Sequence, residues 1–139
     1  MLRHLMVGIP VMLLCLMLQA AFVTICLRKY LRFRHTNTYD TSWTQEVMLL
    51  AMVMLLMLFG NIVQIGIWAA LFMFLGEFNS YAIAVYHSGV NYAGLGYGDI
   101  VMSERWRLLG PLEAANGILL FGLSTGVMTA AVLDVMKRS

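Results

Sequence analysis

Three long apolar stretches constrain this chain more than anything else in it. They cover residues 5–27, 47–75 and about 112–136. A helix needs about 20 predominantly apolar residues to cross a bilayer, so each stretch is long enough to span one. The second is longer than a span requires and should tilt or project past the membrane. Of the 139 residues, 61% are hydrophobic and 12% are charged, with a mean hydropathy of +0.81. A soluble domain carries about twice that charged fraction. The expectation is an all-α integral membrane protein without a second, soluble domain.

Between the second and third stretches lies a shorter segment, residues 80–92. It is too short to span and is followed at once by Gly94-Leu95-Gly96-Tyr97-Gly98-Asp99. Lipid cannot satisfy peptide groups, so irregular backbone at membrane depth survives only where it lines a cavity or is buried in protein. A re-entrant half-helix ending in a loop fits this length. A row of backbone carbonyls along a pore can replace the water around a small cation. The chain has no internal repeat, so such a pore must be assembled from several identical copies.

Charge sets the expected orientation. Arg28, Lys29, Arg32 and Arg34 follow the first stretch, and Lys137 and Arg138 follow the third. Basic loops stay on the cytoplasmic side. Arg3, Arg105 and Arg107 then lie outside, which gives N-terminus out, C-terminus in, and a loop entered from outside. The rival for residues 1–20 is a signal peptide, for which Leu18-Gln19-Ala20 is a poor cleavage site. Ser42-Trp43-Thr44-Gln45 has the form of a capping box opening the second span. Trp43, Tyr39, Phe33 and Tyr30 suit an interfacial belt on the inner face, and Trp106 one on the outer face. The first span should lie at the periphery against the second and leave the pore untouched.

Other chemistry is thin. The net charge of +2 is small and its basic residues are local, so nucleic acid is not an expected partner. Cys15 and Cys26 are eleven residues apart in one span. That is roughly 16 Å along a helix, too far for a disulfide, and both read as inert buried thiols. No Cys/His cluster has metal-ligand spacing, and nothing suggests an enzyme.

Residues 80–132 resemble the pore domain of the potassium channel family. The hexapeptide from Gly94 is similar to its selectivity filter, which usually reads Thr-Val-Gly-Tyr-Gly-Asp. Tyr86-His87-Ser88 lies where the family has paired aromatics before a small residue. Arg107-Leu108 opens the third span as an Arg-Leu pair does there, and Gly117-Ile118 with Phe121-Gly122-Leu123-Ser124-Thr125 resembles the inner helix. The resemblance implies a homotetramer in the cell membrane, with an outer helix, a pore helix, a filter and an inner helix in residues 46–139. Residues 1–45 are a transmembrane helix and basic loop added to that plan.

By this resemblance the carbonyls of Gly94, Leu95, Gly96 and Tyr97 hold K+, which permeates passively and is not a resident cofactor. Gly98, Asp99, Tyr86 and His87 support the filter, and Gly117 is the gating hinge. Tyr86 would bond Asp99, and His87 could bond the hydroxyl of Tyr97. Two departures bear on selectivity. Gly94 replaces the threonine whose hydroxyl completes the innermost ion site, and Ala93 replaces the threonine before it. Gly94→Thr is therefore expected to add a hydroxyl ring and raise potassium-over-sodium selectivity. A weakly selective cation channel stays open as an alternative, as does a non-conducting membrane scaffold. Asn61 and Gln64 read as interhelical glue. Glu113 and Asn116 read either as a brace to the pore helix or, for Glu113, as a shallow group that stays wet.

Overall fold

Four helices follow from where the apolar sequence runs and where glycine ends it. The computed structural model describes residues 2–36 and 43–137, with α1 over Leu2–Thr36, α2 over Trp43–Phe74, α3 over Tyr81–Tyr92 and α4 over Leu109–Met136. Ser42, Tyr39 and Arg138 lie outside the described residues, as do the side chains of Phe33 and Arg34. α1, α2 and α4 are each long and apolar enough to cross a membrane. α1 runs past its apolar stretch at both ends, including through Arg28, Lys29 and Arg32. Lys and Arg are good helix formers, so loss of hydrophobicity ends the span without ending the helix. Pro111 falls in the first turn of α4, where its missing N–H costs nothing.

α2 stops at a glycine. Gly76 has φ 74°. Its N–H donates to the Met73 carbonyl at 3.0 Å and the Glu77 N–H to the Phe72 carbonyl at 3.0 Å. This 5→2 and 6→1 pair is the Schellman motif, which satisfies end carbonyls of a helix that has left its ladder.

α3 wedges between α2 and α4, while α1 lies across both α2 and α4. α1 is therefore not confined to the second span, as the sequence suggested; it also packs on the inner helix. Gly8 permits part of that approach, since a Cβ there would stand 2.7 Å from Leu112 Cδ1. One apolar cluster gathers Cys15, Trp68, Phe72, Tyr92, Trp106, Leu109 and Leu120. A second gathers Cys26, Tyr30, Val53, Met57 and Ala131. Both cysteines are free and buried.

The helix ends are tied at both faces. His4 Nε2 lies 2.6 Å from the Arg105 carbonyl, and the Arg3 guanidinium sits 4.6 Å from the centre of the Trp106 ring. The start of α1 thus shares a face with the segment that follows the glycine-rich loop. At the other face Tyr30 Oη donates to Asp134 Oδ2 at 2.5 Å. Two aromatics depart from the expected interfacial belts. Tyr30 and Trp106 are both 6% exposed, because each is packed under a helix end. Trp43 is exposed, as a belt residue should be.

Candidate functional site

The loop between α3 and α4 begins with a second Schellman motif. The Gly94 N–H donates to the Asn91 carbonyl at 2.8 Å and the Leu95 N–H to the Val90 carbonyl at 2.9 Å. Gly94 occupies the left-handed position with φ 72°. An L-residue with a side chain meets a steric penalty there, so this turn gives a structural reason for glycine at 94. The sequence comparison with a threonine could not show it.

Gly96 and Gly98 repeat the feature, with φ 57° and 73°. Leu95, Tyr97 and Asp99 between them have none, since every positive φ among the described residues belongs to glycine. A strand of one hand throws successive groups to opposite sides. Changing hand at every second residue lets successive peptide groups lean to the same side and form a concave polar row. Residues 94–99 are all exposed in the protomer, including the side chains of Leu95 and Tyr97.

Two α3 side chains hold the far end of the loop. Tyr86 Oη donates to Asp99 Oδ2 at 2.7 Å. That bond favours the ionised carboxylate and lowers the Asp99 pKa, while it raises that of the Tyr86 phenol. His87 Nδ1 lies 2.8 Å from the Ile100 carbonyl, and Asn91 Nδ2 lies 2.8 Å from His87 Nε2. A carbonyl only accepts and an amide nitrogen only donates, which fixes a neutral ring with its hydrogen on Nδ1. Burial lowers the His87 pKa in the same sense. Both ring nitrogens are thus used within the protomer. Within the protomer His87 reaches the loop through the Ile100 carbonyl.

α4 closes the back of this unit. A cavity of ≈ 340 Å³ lies between loop and helices, lined by His87, Asn91, Gly96, Met102, Arg107 and Gly110 among others. Ser88 Oγ is 2.5 Å from Glu113 Oε1 and 2.9 Å from the Ile65 carbonyl, so one hydroxyl bridges α3 to both α4 and α2. Glu113 is fully buried, which makes it a brace and not a wet, shallow group. Gly117 faces the last turn of α3: a Cβ there would stand 2.0 Å from the Tyr92 carbonyl oxygen. Close approach alone requires glycine at 117.

Several contacts were not legible beforehand. Glu77 receives both the Ser103 N–H and the Ser103 hydroxyl at 2.7 Å, clasping the end of α2 to the segment after the loop. Gln19 of α1 accepts from Gln64 Nε2 at 2.7 Å and donates to Ser124 Oγ at 2.8 Å. The only sequence signal for Gln19 is a polar residue inside an apolar span, which by default marks function or pairing.

A family model described as an ion channel matches residues 60–134. The chain belongs to this ion-channel family. The match enters α2 at Gly60, covers α3 and the glycine-rich loop whole, and follows α4 to Asp134, two residues short of its end. The family is one of ion channels and not of enzymes. With three helices able to span, the chain is a multi-pass membrane protein. No curated protein and no solved structure matches the chain.

Proposed function

We propose that this ion channel conducts potassium, with four copies around one axis and the 94–97 carbonyls of each copy forming the ion queue. The observation that carries the reading is the alternation of hand at Gly94, Gly96 and Gly98 in an exposed loop. That loop follows a 12-residue helix too short to cross a bilayer. Peptide groups leaning to one side cannot be satisfied by lipid, so the loop needs a cavity or a pore. Carbonyls from four copies would surround a cation in place of its water. α3 acts as the re-entrant pore helix, and its C-terminal dipole end favours a cation nearby. Tyr86, His87, Gly98 and Asp99 hold the loop from the side away from the ions.

Residues 46–139 form the pore domain and residues 1–45 the added helix and loop. The basic ends of α1 and α4 face the cytoplasm and the glycine-rich loop faces outward. A second reading, a weakly selective cation channel, is favoured by one observation. Gly94 brings no hydroxyl and its backbone is left-handed, so the innermost site has fewer oxygens to offer.

The reading is tested by purifying the full chain into lipid vesicles. The expected result is a tetrameric mass and passive efflux of potassium that exceeds that of sodium. Efflux of both ions at equal rates supports the second reading. A monomer, or a tetramer that passes neither ion, removes both and leaves a non-conducting scaffold.

A further inference from the structure

Polar side chains buried between the two apolar clusters form one directed chain. Tyr92 Oη donates to Gln64 Oε1 at 2.6 Å. Gln64 Nε2 donates to Gln19 Oε1 at 2.7 Å, and Gln19 Nε2 donates to Ser124 Oγ at 2.8 Å. Ser124 Oγ donates to the Leu120 carbonyl at 2.8 Å. The chain leaves α3, crosses α2 and α1, and ends on α4. Tyr92, Gln64 and Gln19 are fully buried. Gly60 leaves room for the crossing, since a Cβ there would stand 3.0 Å from Gln19 Oε1.

Gln19 holds the centre of this chain, with its acceptor toward α2 and its donor toward α4. Leu, Met or Val at this position would suit an apolar span better. Because every donor points the same way, removing one member unpairs the next. Among fully buried side chains an orphaned amide must turn away and find another partner. The first group to follow Gln64 is Tyr92, two residues before Gly94 and with its own carbonyl packed on Gly117.

We infer that Gln19 is a positioning residue for the ion pathway. It fixes the C-terminal end of α3 through Gln64 and Tyr92, and ties that end to α4 through Ser124. The first helix, which lies outside the residues matched by the ion-channel family, then shares in setting the geometry at the start of the loop. Movement of α4 at Ser124 reaches that point through side chains of α1 and α2. The inference rests on the loop being the ion path.

Two readouts on the full chain in lipid separate the inference from that reading. The first is hydrogen exchange at the Gly94 and Leu95 amides, which close the end of α3 whether or not ions pass. Gln19→Leu is expected to speed their exchange by about threefold, the factor for one average interhelical hydrogen bond. The second is the potassium/sodium permeability ratio. Gln19→Leu and Tyr92→Phe should each lower it, and the double variant should lower it no further than the stronger single one, because both break one chain. Should Gln19→Leu fail to assemble, Ser124→Ala removes the acceptor of the Gln19 amide with a smaller change and should speed the same amides. Wild-type exchange at Gly94 and Leu95 in these variants overturns the inference, as do fully additive effects of Gln19→Leu and Tyr92→Phe. A wild-type protein that does not select potassium overturns the reading of the loop and leaves the exchange result to decide the positioning role.

Discussion

The Tyr92 carbonyl oxygen occupies the space that a side chain at residue 117 would need, 2.0 Å from the place of its Cβ. Gly117→Ala must therefore push apart α4 and the last turn of α3. Overpacking of this kind costs about 1–3 kcal/mol. Against this, alanine is the better helix former by about 1 kcal/mol. A lower melting temperature in lipid is expected for Gly117→Ala. Gly122→Ala, where nothing stands within 4 Å in the protomer, should melt at or above the wild-type temperature. If glycine at 117 serves bending alone, Gly117→Ala will change gating and melt no lower than wild type.

Gly94 answers to backbone conformation before it answers to ion chemistry. Its φ of 72° places any L-side chain in the left-handed region, at roughly 1–2 kcal/mol per residue and more for a β-branched one. Gly94→Thr brings the hydroxyl expected from sequence to raise selectivity, but at this strain. Asn tolerates the left-handed region better. Melting should thus fall in the order Gly94, Gly94→Asn, Gly94→Thr. Equal melting of Gly94→Thr and wild type would mean that residue 94 does not close a Schellman turn.

Much of the helical plan was legible because hydrophobicity is nearly sufficient in lipid. The α2 and α4 expectations end within a residue of the structure at Phe74 and Met136. The brace through Glu113 and the glue through Gln64 followed from the cost of polar groups in a span. Their partners, Ser88 and Tyr92 with Gln19, did not, since a spacing along one helix says nothing about which neighbour faces it. The extent of α1 was underestimated because charge marks the membrane boundary and not the helix end. Trp106 and Tyr30 looked interfacial by residue type, but docking of Arg3 and Asp134 onto them is a tertiary event. The Schellman turn at Gly94 was hidden by comparison with a filter that has threonine there.

Acid should loosen the loop through His87. Burial holds its pKa below the ordinary 6.5, so the folded protein favours the neutral ring. The stability this ring contributes is fully present above pH 6.5 and is lost as pH falls from there toward the folded value. Protonation places a second N–H against the Asn91 amide nitrogen and breaks that bond. Asp99 acts in a separate window: its pKa is held below the ordinary 3.8, and its contribution is lost only as pH falls through that lower region. Melting temperature should therefore decline as pH is lowered from 6.5 toward 5, and His87→Gln should flatten the decline. An identical slope in His87→Gln would assign the acid sensitivity elsewhere.

The most direct measurement is the reversal potential of the reconstituted full chain with potassium on one side and an equal concentration of sodium on the other. Carbonyl rows built on Gly94, Leu95, Gly96 and Tyr97 should drive it toward the potassium equilibrium potential. A reversal potential at zero, or no current at all, would contradict a potassium-selective pore lined by this loop.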